Sequence, residues 1–338
     1  MSADARSRPS RGVAVVFTGG TISMIADPHA GGNVPVLDGR EILARTPGLD
    51  ELAMVVPVDL GRTPASHFTL TDLLGIAERI RELARDPEID GIVVVQGTDT
   101  IEETAFCWDL VHEGPTPIVV TGAMRAASDP GYEGPANVRD AVAVAAHAAM
   151  AGEGVVVVLG GTIEAADDVA KTHTSLLTTF RSPNAGPLGT IDGGQVHLAR
   201  RRTARRHVAA RRAPERVHLI TVTTGMDGSL IRAAVAAGAD GLVVAATGSG
   251  NTSPATLEAA AEAIAAGVPV VLTTRCLGGC VSTAYAFPGG GATWARAGAI
   301  LAGHLSGPKA RVALALGIGA GLDDAGLRAL LADPWPAR

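Results

Sequence analysis

The stretch GIVVVQGTDTIEET, residues 91–104, contains a strand, a glycine turn and the beginning of a helix, in that order. Gly91–Val95 is an unbroken run of small and β-branched residues, which is typical of a strand buried on both faces of a parallel sheet. Polar residues follow, and Glu102–His112 has the length and composition of a helix. A strand that passes through a short loop into a helix begins a βαβ unit, so this stretch predicts an α/β fold with a mainly parallel sheet.

The same pattern recurs along the chain. Val13–Phe17, Pro117–Val120 and Gly154–Leu159 are further short apolar runs followed by polar loops, and Leu73–Ala84 repeats apolar residues at helical spacing. Right-handed crossovers between such strands place helices on both faces of the sheet, and ligands bind beyond the carboxyl ends of the strands. We therefore expect the functional residues in the loops that follow strands.

The composition fits a globular protein that binds a small molecule. The 338 residues are 47% hydrophobic and 18% charged, which excludes a disordered chain, a coiled coil or a disulfide miniprotein. The net charge of −6 argues against a general nucleic-acid binder. The three cysteines have no histidine pair at ligand spacing beside them, so we expect free thiols and no structural zinc. No apolar run precedes the first strand, and we predict a cytoplasmic protein with no membrane association.

A change in composition divides the chain into two predicted domains. Residues 1–11 are predicted to form a flexible N-terminus, and residues 12–199 a larger N-terminal α/β domain. Residues 200–216 contain eight arginines and little apolar content, and we interpret them as a linker. Residues 217–338 resume the alternation of strands and helices and are predicted to form a smaller C-terminal α/β domain. A nucleic-acid-binding patch is the alternative for the arginines, but no aromatic residues are interleaved and the rest of the chain is acidic.

Two of the loops that follow strands combine glycine with hydroxyl groups. In FTGGTI, residues 17–22, two glycines allow backbone N–H groups to approach a bound oxygen atom, and Thr18 is a candidate nucleophile. In QGTDTIEET, residues 96–104, Thr98 and Asp99 place a hydroxyl and a carboxylate where a strand ends and a helix begins. A glycine turn with a capping threonine also explains the first loop, and helix capping also explains much of the second.

Lys171 and the segment TGSGNTSP, residues 247–254, are the other candidates. The chain has two lysines, Lys171 and Lys309, against twenty-six arginines, which indicates a role that arginine cannot fill, such as an amine that loses its proton when desolvated. Chance is the alternative. Asn251 lies after a strand of the second domain and could reach a ligand across a domain or subunit boundary, although a helix cap also explains its segment.

Together, these segments resemble the bacterial-type L-asparaginase and glutaminase family over nearly the whole chain. The resemblance implies a larger N-terminal domain, a smaller C-terminal domain, and a homodimer or homotetramer whose sites lie between subunits. It implies no metal and no cofactor. The stretches that carry the resemblance occur in the family's order: TGGTI (18–22), GTDTIEETA (97–105), TGAMR (121–125), GPAN (134–137), KTHT (171–174) and SPNAGPLG (182–189).

The resemblance also implies catalytic residues. Thr18 corresponds to the family's first catalytic threonine, and Thr98, Asp99 and Lys171 correspond to its threonine, aspartate and lysine. The implied reaction is the hydrolysis of a side-chain amide. A threonine hydroxyl attacks the amide carbon, backbone N–H groups stabilise the oxyanion, ammonia leaves, and water releases the acid. Which threonine attacks stays open.

The substrate implied by the resemblance is an amino-acid amide. Asp99, with Thr98 beside it, is expected to bind the substrate α-ammonium group, which would select amino-acid amides over simple amides. Ser66 is expected to bind the α-carboxylate. Gln96 and Asn251 complete the predicted substrate-binding residues.

Three features depart from the family's pattern. Gln96 stands where the family has a histidine, the lid tyrosine has no counterpart in residues 22–37, and the acidic residue that some members contribute from a neighbouring subunit has none in residues 277–285. The segment Ser23–Val36 is rich in Gly and Pro, which argues against a helix or a central strand. We predict that it is a mobile lid over the site, with an unrelated surface loop as the alternative.

The predicted function is that of an asparaginase-like amidohydrolase, which converts L-asparagine into L-aspartate and ammonia through a threonine nucleophile. An amide-sensing binding protein with weak turnover is one alternative. The amidase component of a tRNA-dependent amidotransferase, in which the arginines would contact RNA, is another. The preference between asparagine and glutamine stays open.

Overall fold

The computed structural model describes residues 11–332. Of the predicted flexible N-terminus, residues 1–10 lie outside the described residues. The strands are β1 (Gly12–Phe17), β2 (Met24–Asp27), β3 (Gly32–Pro35), β4 (Met54–Asp59), β5 (Ile89–Val95), β6 (Ile118–Thr121), β7 (Val155–Leu159), β8 (Thr162–Ala165), β9 (Ala170–Lys171), β10 (Phe180–Arg181), β11 (Gly189–Asp192), β12 (Gln195–Leu198), β13 (Val217–Thr221), β14 (Gly241–Ala246), β15 (Val270–Thr274) and β16 (Ile300–Leu301). The helices are α1 (Gly39–Ala44), α2 (Leu70–Ala84), α3 (Ile101–Val111), α4 (Gly134–Ala145), α5 (Ser229–Ala236), α6 (Pro254–Ala265), α7 (Gly291–Arg296), α8 (Gly307–Gly319) and α9 (Asp324–Leu331).

The larger domain is built on an eight-stranded sheet in the order β12-β11-β8-β7-β6-β5-β1-β4. Strands β4, β1, β5, β6 and β7 are parallel, and β8, β11 and β12 extend the sheet in antiparallel fashion. Side chains of β1 alternate between two cores: Val13 and Val15 pack in the layer that contains α4, and Val16 packs in the layer that contains α2 and α3. Burial on both faces is why these strands are continuous apolar runs in the sequence.

The smaller domain has a four-stranded parallel sheet in the order β13-β14-β15-β16. Helices α5 and α6 pack in the core on one face, and α8 packs in the core on the other. The two sheets confirm the predicted fold class, a two-domain α/β protein with a larger, mainly parallel N-terminal sheet. Within residues 11–332, none of the helices is long and apolar enough to cross a bilayer.

Helix α8 joins the two domains, and the sequence pattern did not predict it. Val312, Leu314 and Leu316 of α8 belong to the same buried cluster as Phe106 and Leu110 of α3 in the larger domain. Because α8 is covered on several sides, apolar residues occupy nearly its whole length and the helical spacing of polar and apolar residues is lost. The domains therefore share one continuous core.

The arginine-rich segment is bonded to the rest of the protein. Arg202 is buried and donates through two nitrogens to the buried carboxylate of Asp109, at 2.9 and 2.7 Å, and it also pairs with Asp167 at 3.1 Å. Arg205 donates to Asp109 as well, at 3.1 Å. Each of the eight arginines has an acceptor within the chain, and the side chains of Arg201, Arg211 and Arg216 are nevertheless more than half exposed.

The pKa of Asp109 follows from these pairs. Burial raises the pKa of this carboxyl, but the guanidinium of Arg202, and then that of Arg205, outweigh burial and lower it. A carboxyl with a lowered pKa in the folded state stabilises the fold above its unfolded pKa of about 3.9, and this contribution is lost as the pH falls through the folded value. The attachment of the arginine-rich segment to α3 is therefore expected to weaken in acid.

We expect Asp109→Ala to lower the free energy of unfolding at pH 7 by about 3 kcal/mol, because it leaves buried guanidinium groups without their main counter-charge. Urea unfolding measures the loss. The control is Glu82→Ala, which removes an exposed pair with Arg79 and should cost less than about 1 kcal/mol. Equal losses in the two variants would contradict a stabilising role for the charge of Asp109. The same role would be contradicted if the difference in the free energy of unfolding between wild type and Asp109→Ala persisted unchanged well below pH 3.9.

Candidate active site

The sheet order brings three loops together at the carboxyl ends of adjacent strands. β5 lies between β1 and β6, with Val95 aligned with Phe17 on one side and with Thr121 on the other. The chain leaves β1 and β5 into loops that contain glycine and threonine, and it leaves β6, whose last residue is Thr121, at Gly122. This is the edge at which ligands bind in parallel α/β sheets.

Glycine makes the close approach of these loops possible. At Gly20, where φ is +99°, an added Cβ would lie 2.3 Å from the backbone nitrogen of Gly97. At Gly122, an added Cβ would lie 2.5 Å from the backbone oxygen of Gln96 and 3.2 Å from Cγ2 of Thr98. Any side chain at these two positions would separate the loops, so the glycines set the spacing of the site.

Three of the predicted catalytic residues are in direct contact. The Nζ atom of Lys171 donates to Oγ1 of Thr98 at 3.0 Å and to Oδ1 of Asp99 at 2.9 Å. Thr98 is buried, whereas the side chain of Asp99 is 70% exposed and that of Lys171 is 15% exposed. The cluster therefore has a buried hydroxyl, an amine that bridges the two other groups, and a carboxylate open to solvent.

Lys171 reaches this position from β9, a two-residue strand outside the main sheet that pairs with β10. Its backbone N–H donates to Oε2 of Glu102 at 3.2 Å. Glu102 lies in the first turn of α3, directly after the Thr98 turn. Glu102 was not among the predicted site residues, although its place at the start of a helix beside candidate residues was a usable signal.

Thr18 is held by β5 rather than by the lysine. Its backbone N–H and its hydroxyl both donate to the carbonyl of Val95, at 3.0 and 3.2 Å. Its own carbonyl accepts from the backbone N–H of Thr63 at 2.9 Å. The side chain is buried, and it directly follows β1, next to the carboxyl end of β5, the strand that leads to the Thr98 turn.

Ser66 and Gln96, two of the predicted substrate-binding residues, differ in their exposure to solvent. Ser66 is exposed in a single 3₁₀ turn, Ala65–His67, which is held beside the Thr98 turn because Thr100 Oγ1 donates to the carbonyl of Ala65 at 3.2 Å. Gln96 is fully buried: its Oε1 accepts from Thr104 at 3.0 Å and its Nε2 donates to its neighbour's carbonyl at 3.2 Å. These bonds explain a polar residue at position 96 without a ligand, so a contact between Gln96 and substrate stays a prediction.

Asn251 lies in the smaller domain, in the turn after β14 that a bridge to Thr247 closes. None of its described contacts reaches Thr18, Thr98 or Lys171. Its Oδ1 atom is buried and has no hydrogen-bond partner among residues 11–332. Within one chain, the structure does not join Asn251 to the catalytic cluster.

The segment predicted as a lid contains a β-hairpin. β2 and β3 pair in antiparallel fashion outside the main sheet, so the pattern correctly excluded a central strand but missed the hairpin. The backbone N–H of Ala127 donates to the carbonyl of Met24 at 2.8 Å, and the hydroxyl of Tyr132 donates to the carbonyl of Ile22 at 2.8 Å. The base of the hairpin is therefore tethered, and its closure over a ligand stays a prediction.

Metal binding has no support in the described part of the chain. Within residues 11–332, no group of three or more His, Cys, Asp or Glu side chains is placed to hold a metal ion. The site instead offers a hydroxyl, an amine and a carboxylate, together with the N–H groups of tight glycine turns. Such a set is suited to nucleophilic attack on a carbonyl carbon.

The fold and the site together define the class: a two-domain α/β protein with a threonine, lysine and aspartate cluster at the carboxyl ends of its strands. Residues 12–204 match the family model described as "Asparaginase, N-terminal", and residues 216–331 match that of the "Glutaminase/Asparaginase C-terminal domain". The chain belongs to the asparaginase family.

Individual relatives span almost the whole chain. It is 38% identical over 324 residues to a probable L-asparaginase of Deinococcus radiodurans, with 92% of this chain and 95% of the relative covered. It is 34% identical over 304 residues to the L-asparaginase of Bacillus licheniformis, with 90% and 94% covered. The crystal structure of a probable cytoplasmic L-asparaginase from Campylobacter jejuni superposes with a TM-score of 0.85 at 28% identity and covers 95% of this chain and 99% of that one.

We expect Gly20→Ala to destabilise the protein well beyond the usual cost of a positive φ, because its Cβ would overlap the backbone of Gly97. The matched control is Gly267→Ala, where φ is +86° and no atom lies within 4 Å of the added Cβ. The control should lose only about 1–2 kcal/mol, the cost of the backbone conformation alone. Thermal unfolding of both variants measures the difference, and similar losses would show that the two loops are not in tight contact.

Proposed function

We propose that this protein hydrolyses L-asparagine to L-aspartate and ammonia at the cluster of Thr98, Asp99 and Lys171, together with Thr18 at the end of the neighbouring strand β1. The observation that carries the proposal is the contact of Lys171 Nζ with Thr98 Oγ1 at 3.0 Å and with Asp99 Oδ1 at 2.9 Å. The family and the names of both relatives support the reaction and the substrate.

The proposed chemistry is acyl transfer to a threonine. The hydroxyl oxygen of Thr18 or Thr98 attacks the side-chain amide carbon, and N–H groups of the glycine loops stabilise the oxyanion. The C–N bond then breaks, and the hydroxyl proton passes to the leaving nitrogen, which departs as ammonia. Water hydrolyses the resulting ester and regenerates the threonine. Lys171 Nζ, 3.0 Å from Thr98 Oγ1, is placed to take part in this proton transfer.

Charge and exposure support the binding of an amino-acid amide. The exposed carboxylate of Asp99 can pair with the substrate α-ammonium group, and the exposed hydroxyl of Ser66 can donate to the α-carboxylate. A simple amide lacks both charges and forgoes both contacts. Amino-acid amides are therefore favoured, because only they make both contacts. With a simple amide, Asp99 and Ser66 stay bound to water.

We also propose that the working form is a homodimer or homotetramer in the cytoplasm. Asn251 makes no described contact with the catalytic cluster of its own chain, so a role for it in substrate binding requires a site shared with a second subunit. The name of the superposed Campylobacter jejuni protein supports the location.

Thr98→Val keeps the shape of the side chain and removes the hydroxyl. We expect it to lower the rate of ammonia release from L-asparagine by about a hundredfold or more, because it removes either the nucleophile or a proton-transfer group. The control is Thr190→Val on the exposed face of β11, which should keep the wild-type rate. A Thr98→Val variant with more than about a third of that rate would remove Thr98 from the reaction.

Lys171→Arg keeps the positive charge but replaces a compact amine with a planar group that does not lose its proton in proteins. We expect the rate to fall by about a hundredfold while the melting temperature stays within a few degrees of wild type. Ammonia release and thermal unfolding are measured on the same preparation. Full activity in this variant would make Lys171 a structural cation.

A further inference from the structure

Lys309, the other lysine of the chain, lies in α8 of the smaller domain and is 1% exposed. Its ammonium group donates a hydrogen bond to the backbone carbonyl of Val169. Val169 belongs to the larger domain and directly precedes β9, the strand that carries Lys171. Lys309 of the smaller domain is therefore bonded to the backbone of the larger domain, two residues before Lys171.

Carboxylates from α3 and from the segment before β9 act on Lys309. Burial lowers the pKa of Lys309 and outweighs the opposing effect of four carboxylates, those of Glu102, Asp167, Asp168 and Glu103. Glu102 also accepts from the backbone N–H of Lys171 at 3.2 Å. The ammonium thus lies among groups that bind the Lys171 strand.

The segment that leads to Lys171 is fixed at several successive residues. Asp167 pairs with Arg202 at 3.1 Å, and Asp168 accepts from the backbone N–H of Ala185 at 2.8 Å. Val169 is the next residue, and its carbonyl is the acceptor for Lys309. Because β9 pairs only with another two-residue strand, these contacts rather than a sheet must set its position.

We propose that Lys309 is a positioning residue for Lys171: by holding the Val169 carbonyl from α8, it sets the distance between Lys171 Nζ and Thr98 Oγ1. The inference rests on the proposed function only in treating Lys171 as catalytic. A displacement of about 1 Å at a catalytic group can cost on the order of a hundredfold in rate, so a remote contact of this kind has a measurable effect.

The kinetic test compares two cations of the same helix. Lys309→Met keeps an unbranched side chain and removes the ammonium. Arg311→Met is the control, because Arg311 Nε donates to the carbonyl of Val217 at 2.7 Å, at the start of β13 and away from the Lys171 strand. Both variants are assayed for ammonia release below their melting temperatures. We expect Lys309→Met to lower kcat about 10- to 100-fold with KM changed less than about threefold, and Arg311→Met to keep kcat within about threefold.

Lys309→Arg is a second variant for the same assay, and it keeps the test possible if Lys309→Met does not fold. It keeps a positive charge among the carboxylates but places its donors differently. We expect a folded protein with a lower kcat and a nearly unchanged KM. Wild-type kcat in Lys309→Arg, or equal kcat in folded Lys309→Met and Arg311→Met, would overturn the proposal and leave Lys309 a residue of stability alone.

A spectroscopic test does not depend on turnover. Protein labelled with ¹³C at lysine Cε gives signals from Lys171 and Lys309 only, and Lys309→Met leaves the signal of Lys171 alone. We expect the Lys171 signal to shift or broaden relative to wild type, and to stay in place in Arg311→Met. An unmoved signal in Lys309→Met would overturn the positioning role. A wild-type protein that released no ammonia would instead refute the proposed function and leave this result standing.

Discussion

The lysine amine held 3.0 Å from a threonine hydroxyl is the contact on which the rest of this architecture depends. The hydroxyl is placed by the main sheet, because Thr98 follows β5. The amine comes from a two-residue strand outside that sheet. These two parts of the chain are not strands of one sheet, so other contacts must hold the amine and the hydroxyl at this distance. Tight glycine packing fixes the hydroxyl side, and buried charged groups fix the amine side.

Helix α3 links the Thr98 turn to the segment that carries Lys171. It starts directly after the Thr98 turn, its second residue, Glu102, accepts from the backbone of Lys171, and its ninth residue, Asp109, pairs with Arg202. Arg202 in turn binds Asp167, at the beginning of the segment that leads to Lys171. The same helix packs against α8 of the smaller domain. A buried charge is costly unless it is paired, so the pairs of Arg202 with Asp109 and Asp167 tie the segment that leads to Lys171 to α3.

How far the sequence predicts this structure depends on how local each signal is. The strand at residues 91–95 could be predicted because a strand buried on both faces is a continuous apolar run. The helix after residue 101 could be predicted from its length, its composition and its acidic first turn, Glu102 and Glu103. Contacts between distant residues leave no such pattern. The scarcity of lysine applies equally to Lys171 and Lys309, but only Lys171 lies in a stretch that resembles the family. The sequence around Lys309 gave no sign that its ammonium group meets the Val169 carbonyl. The arginine segment has the composition of a solvated linker, and its buried acceptors, such as Asp109, lie about ninety residues earlier in the chain.

The central claim is that catalysis passes through an ester on a threonine of this cluster. Turnover of L-asparagine in the presence of hydroxylamine tests it most directly, because hydroxylamine attacks an acyl ester in competition with water. The account predicts that aspartyl β-hydroxamate forms at the expense of aspartate, in proportion to the hydroxylamine concentration, while ammonia release continues. Ammonia release with aspartate as the only acyl product, at every hydroxylamine concentration, would contradict it.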